Sequence, residues 1–102
     1  MTRCRSDLNQ STIVRQLRQM GASVEVVSTQ AHGFDLVVGW RGRNYVVEVK
    51  QPGKKHELTE LERHRMNTWA GRYMIIDSTQ DFLMQVEAYE HTPGPDANHP
   101  HA

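Results

Sequence analysis

Apolar residues along this chain follow two different periods, and the switches between them mark out its elements. From Asp7 to Met20, "DLNQSTIVRQLRQM", residues Leu8, Val14, Leu17 and Met20 recur near helical spacing, with Ile13 flanking the stripe. Asp7 is expected to cap the first turn with Gln10 as its capping-box partner, and Gly21 to end the helix. "SVEVVST" then reads as a strand and "QAHG" as a loop. "GFDLVVGWRGRNYVVEVK", Gly33 to Lys50, reads as two apolar strands around a tight turn at Gly42, the pattern of a hairpin. "QPGKKHE" breaks the periodicity with Pro52 and Gly53. "LTELERHRMNTWAG" reads as a second helix, opened by a Thr59–Glu62 capping box and ended by Gly71. "RYMIIDS" is a short apolar strand, and Ser78 caps a last helix over "TQDFLMQVEAYE". The predicted order is α-β-β-β-α-β-α, an α/β domain whose mixed sheet is flanked by helices.

A length of 102 residues fits one compact domain, expected over residues 7–90 behind a flexible leader, 1–6. The Pro-rich tail, 91–102, is expected to be disordered, so that His91, His99 and His101 lack fixed geometry. Lys+Arg and Asp+Glu are both 12, giving zero net charge, which argues against a basic coat protein but permits a local basic face. The single cysteine, Cys4, allows no internal disulfide and no CxxC zinc pair. No apolar run approaches the ~20 residues that span a bilayer, and no signal-peptide pattern opens the chain. The expectation is a soluble chain in a reducing, cytoplasmic setting, with no membrane partner.

Three charged residues interrupt the hairpin: Asp35, Glu48 and Lys50. Glu48 and Lys50 are two apart and share a strand face, while Val47 and Val49 point the other way. A two-residue loop at Gly42-Arg43, or a four-residue loop from Arg41 to Asn44, pairs Trp40 with Tyr45, Val38 with Val47 and Leu36 with Val49. Either loop also pairs Asp35 with Lys50 and Val37 with Glu48, which makes the two acids diagonal neighbours roughly 7–8 Å apart at Cα. A one-residue slip would turn one strand's apolar set to the wrong side. Two carboxylates at that separation repel unless a cation neutralises them, and Mg²⁺ takes one or two carboxylates with water and substrate phosphate. A lysine beside such an ion would hold an anion or orient a water, which together describes phosphodiester hydrolysis. An E-x-K pair on an exposed strand face also arises simply as solvated charge; the aspartate on the same face and the order of elements favour a site.

The segments "NQSTIVRQLRQMGASV", "GFDLVVGWRGRNYVVEVK" and "LTELERHRMNTWAG", with D-x(12)-E-V-K on the hairpin, resemble the PD-(D/E)XK nuclease superfamily. More narrowly the chain is similar to small phage VRR-NUC and Holliday-junction-resolvase-like nucleases, over about Asp7 to Ala88. The resemblance implies a restriction-endonuclease-like core and a metal-dependent DNA endonuclease, structure-selective for branched or junction DNA, with Mg²⁺ or Mn²⁺ as cofactor. It implies that Asp35 and Glu48 bind the metal with the Val49 carbonyl, and that Lys50 positions or activates the attacking water. Phe34 stands where the family often has proline. The first helix lacks the acid that many members carry, leaving Gln10 or Asn9 to contribute through water, or Gln10 only to cap. Glu62 falls where relatives often have glutamine, and is equally placed to serve as the capping partner of Thr59. Arg63, Arg65 and the Lys54-Lys55 pair are either a phosphate-binding rim or solvated surface. Trp40, Trp69 and Tyr73 are expected in the core, and His32 in a plain loop. DNA and a second copy of the chain are the expected partners, with RNA as a possible substrate. The rival functions are a non-catalytic nucleic-acid-binding protein of the same fold and a purely structural, partner-binding protein.

Overall fold

The computed structural model describes residues 5–28 and 32–91. Its elements are α1 (Arg5–Gln19), β1 (Ser23–Val26), β2 (Leu36–Trp40), β3 (Arg43–Val49), α2 (Glu60–Thr68), β4 (Tyr73–Ile76) and α3 (Thr79–His91), the order read from the sequence. Cys4, His99 and His101 lie outside the described residues. The four strands form one mixed sheet in the order β1-β2-β3-β4, with β1, β2 and β3 antiparallel and β4 parallel to β3. Among the described residues no helix is long and apolar enough to cross a membrane.

One sheet face carries the core. Leu36 and Val38 from β2, Tyr45, Val47 and Val49 from β3, and Met74 and Ile76 from β4 are buried beneath α1 and α3. α1 contributes Ile13, Val14 and Leu17, and α3 contributes Phe82, whose ring meets Tyr45 edge-on at 5.6 Å. Each fully buried aliphatic side chain here contributes about 1.5–3 kcal/mol. The α1 stripe is centred differently from the expectation: Ile13 is buried and Leu8 is 50% exposed. α1 also begins at Arg5, so Asp7 lies within the helix rather than at its cap. At the other end of the chain, His91 is helical and its ring Nδ1 lies 2.9 Å from the Glu87 carbonyl.

The capping signals are largely realised. Thr59 and Glu62 make a reciprocal capping box on α2, and Ser78 Oγ accepts the Asp81 N–H at 2.9 Å at the start of α3. α2 ends at Thr68 with Trp69 as an extended C-cap, two residues before Gly71. No residue of α2 is buried. It lies over the second face of the sheet, where Val46, Glu48 and Ile75 point.

The hairpin register differs from the expected one by two residues. Trp40 pairs with Arg43, Val38 with Tyr45 and Leu36 with Val47. The turn residues are therefore Arg41 and Gly42, both at positive φ (53° and 81°), as a type I′ turn requires. That turn matches the twist of the flanking strands, and a shift of two leaves every side chain on its expected face. The cost falls on Arg41, a non-glycine residue in the left-handed region, and is offset among the described residues by a 3.8 Å ion pair to Glu90 and a cation–π contact to Trp40. Arg41→Asn, which suits this conformation, is expected to raise stability by roughly 0.5–1 kcal/mol, measured as an upward shift of the thermal unfolding midpoint.

Candidate functional site

The charged residues singled out in the hairpin meet where β3 ends and β2 begins. Asp35 directly precedes β2. Its backbone N–H donates to the Val47 carbonyl at 2.8 Å, and Val47 is also the residue that Leu36 faces, so two successive residues address one partner as in a β-bulge. The bulge brings the Asp35 carboxylate to the end of β3, where Oδ2 accepts the Val49 N–H at 2.9 Å. Asp35 is thus a close neighbour of Glu48, hydrogen-bonded to it, rather than the diagonal neighbour that the other register would give.

Glu48 is only 5% exposed, the one buried charged-type residue among the described residues. On its other side it hydrogen-bonds to Glu62, which α2 places there. Lys50, on the same strand face as Glu48, closes the cluster: its Nζ lies 3.5 Å from Glu48 Oε2 and 2.8 Å from Glu62 Oε1. The same Glu62 oxygen accepts the Thr59 N–H at 2.9 Å. Glu62 therefore fills both expected roles at once, capping α2 and joining the site.

Three carboxyl groups cluster around one lysine, whose ammonium pairs with two of them, Glu48 and Glu62. Burial pushes the Glu48 carboxyl up to about 9, and the Asp35 and Glu62 charges push in the same direction. Burial also raises Asp35, opposed by its bond from Val49. For Lys50, burial favours the neutral amine, but the hydrogen bond to Glu62 and the charge of Glu48 prevail and raise it. For Glu62, burial is likewise outweighed, by the bonds from Lys50 and Thr59, and the group is lowered. Near neutral pH the cluster holds an ionised Glu62, a protonated Lys50 and a proton on Glu48.

The sheet also places an aromatic group here. Tyr73 pairs with Val46 across the parallel ladder and so faces the same side as Glu48. Its hydroxyl donates to the Gly33 carbonyl. Burial and the nearby Glu48, Glu62 and Asp35 charges keep the phenol protonated. Tyr73 is only partly buried, where a core position was expected; its alternation with Ile75 on β4 was the available signal. Trp40 packs against the core as expected, whereas Trp69 is 39% exposed.

Gln10 is not brought to this cluster. Its side-chain amide donates to Ser28 Oγ at 3.1 Å, in a groove between α1 and β1 lined by Val14, Arg18 and Val26. The α1 residue that reaches the site's backbone is Asn9, whose amide donates to the Lys50 carbonyl at 2.9 Å and the Asp77 carbonyl at 3.1 Å. The basic rim is partly engaged within the chain. Lys54 pairs with Glu57 at 3.4 Å, Lys55 with Asp81 at 2.8 Å, and Arg65 Nε donates to the His32 carbonyl at 2.8 Å, while Arg63 is exposed.

Among the described residues, no set of three or more His, Cys, Asp or Glu side chains is arranged to hold a metal ion. The smaller donor set of Asp35, Glu48 and the Val49 carbonyl suits a hard cation that keeps part of its water shell. Burial and the neighbouring acids favour the protonated form of Glu48, a neutralisation that a cation's charge would otherwise supply. Compared with protein families, with curated proteins and with solved structures, the chain shows no match.

The raised Glu48 carboxyl gives a signed dependence on pH. Between the ordinary carboxyl value of 4.5 and about 9, the folded chain keeps a proton that the unfolded chain has released. Stability therefore falls as pH rises through this window. Glu48→Gln, which cannot ionise, is expected to stabilise the fold at pH 8 by on the order of 1 kcal/mol, with the gain shrinking toward pH 5. Unfolding midpoints of both chains across this range check the sign, and a gain that grows toward acid contradicts it.

Proposed function

We propose that this chain is a metal-dependent DNA endonuclease hydrolysing phosphodiester bonds, with Asp35, Glu48 and Lys50 as its working residues. The observation that carries the reading is the buried Glu48 carboxyl beside Asp35, with the Lys50 ammonium 3.5 Å away, on one face at the end of β3. The D-x(12)-E-V-K pattern and the order of elements support it from the sequence.

Asp35, Glu48 and the Val49 carbonyl would hold Mg²⁺, or Mn²⁺ in its place. Such an ion supplies charge stabilisation to the scissile phosphate and lowers the pKa of a bound water. The chain's own groups divide the remaining work. The Val49 N–H fixes one Asp35 oxygen and so sets the direction of the other. Lys50, held protonated, is suited to donate to a phosphate oxygen or to orient a water, not to accept its proton. Glu62 holds Lys50 in place through the 2.8 Å bond and, as the partner of Thr59 in the capping box of α2, ties that orientation to the helix.

The substrate reading is DNA recognised by shape, a junction or flap, since the balanced charge of the chain suits a short footprint better than long sequence readout. A homodimer would extend the small contact surface of a single domain. A second reading, nucleic-acid binding without cleavage, is favoured by the Lys50–Glu62 ion pair, which engages the ammonium within the protein, and by the amides, in place of acids, at Asn9 and Gln10 of α1.

Incubation with branched and linear DNA in Mg²⁺ or EDTA separates the two. Cleavage is expected with Mg²⁺ and none with EDTA. Asp35→Asn, Glu48→Gln and Lys50→Met are each expected to slow it by about 10²-fold or more, with circular dichroism unchanged. Binding that needs no metal and leads to no cut would establish the non-catalytic reading, and a Glu48→Gln chain cutting at the wild-type rate would remove Glu48 from the site.

A further inference from the structure

From the aromatic ledge that borders the carboxylates, we infer that this site takes an unpaired nucleobase, stacked on the Trp69 indole against the edge of the Phe34–His32 pair, beside the scissile phosphate of a DNA strand. The inference rests on the hydrolytic reading for the position of that phosphate, and on separate observations for the base.

The ledge is built from both sides of the site. Phe34, next to Asp35 in the chain, lies edge-on to Trp69 with ring centroids 5.5 Å apart and edge-on to Tyr73 at 6.5 Å. His32 stacks on Phe34 at 5.5 Å with a 20° interplanar angle. Trp69 is 39% exposed at the end of a helix with no buried residue, and Phe34 is only partly buried. An indole left partly in water gains by covering a flat apolar face, and a nucleobase provides one whatever its sequence.

The loop beneath the ledge is held firmly. Gly33 sits at φ +82°, and a Cβ there would come 2.7 Å from Arg65 Cγ and 3.0 Å from Leu61 Cγ. Arg65 Nε holds the His32 carbonyl and the Tyr73 hydroxyl holds the Gly33 carbonyl. These contacts fix Phe34 relative to Asp35, so a base stacked on the ledge would carry a fixed offset to its own phosphate. The Arg65 guanidinium beside the loop supplies positive charge for the neighbouring backbone. A paired base offers only its edge to such a ledge, so the arrangement selects single-stranded ends, flaps or frayed junctions over continuous duplex.

The test uses fluorescence in EDTA, where no chemistry occurs. Trp40→Phe leaves Trp69 as the sole tryptophan of the full chain. Oligo(dT) is expected to quench its emission, and a blunt, fully paired duplex of equal length is not. Trp69→Ala is expected to weaken oligo(dT) binding about 5- to 100-fold, while Trp69→Phe, which keeps a flat ring, stays within about threefold of wild type. Equal quenching by duplex, no quenching at all, or unchanged affinity in Trp69→Ala overturns the inference. The two readings fail separately. Metal-dependent cleavage with unmoved Trp69 emission removes the ledge and keeps the hydrolase, whereas quenching by oligo(dT) without any cleavage does the reverse.

Discussion

The packing of Tyr45, Val47 and Val49 beneath α1 and α3 decides where every charged group of β3 points. Because strand side chains alternate, burying these residues in the core commits Val46, Glu48 and Lys50 to the opposite face. A slip by one residue would drive Glu48 and Lys50 into an apolar layer where neither has a partner, at a cost of several kcal/mol for each unpaired charge. Core and site are therefore one constraint. The apolar half of β3 supplies the folding energy, and the polar half receives its positions from it.

The second sheet face is covered differently. α2 contributes no buried side chain, and its hold on the body runs through the Lys50–Glu62 ion pair, the Arg65 bond to the His32 carbonyl and the close approach of Gly33 to Leu61. Contacts of this kind each contribute about 1 kcal/mol net, well below the burial of a single core residue such as Ile76. α2 thus belongs to the low-stability part of the structure. The charges at the end of β3 act as its main attachment, and a ligand that competes for Lys50 would compete with that attachment.

Much of this was legible in the sequence because it rests on local rules. The helix caps at Thr59 and Ser78 and the alternation along β2 and β3 are written in neighbouring residues. The shared face of Asp35, Glu48 and Lys50 follows from parity, which a register error of two does not disturb. Neither the Gly42-Arg43 loop nor the Arg41-to-Asn44 loop gives the observed register, because Arg41 and Gly42 make the turn, and a residue of Arg41's type rarely takes positive φ. The exposure of Trp69 was hidden because an aromatic residue at helical spacing normally implies a buried stripe, and α2 has none. The family resemblance offers Gln10 to the site, or only to the helix cap, but the helix turns it toward Ser28. The bulge at Asp35 and the dual use of one Glu62 oxygen depend on contacts between distant segments, for which the sequence carries no local signal.

The contacts of the Asn9 side chain show why an amide, and no acid, stands at that position of α1. Its amide nitrogen spans the Lys50 and Asp77 carbonyls, the outgoing ends of the two parallel strands β3 and β4. Both receivers are oxygens with only lone pairs to offer, so this position must give hydrogens and has no use for a carboxylate, which would face two like dipoles and force the strand ends apart. In this chain the first helix acts as a brace across a fork, and the selection for a donor there leaves the negative charge of the site to the hairpin and α2.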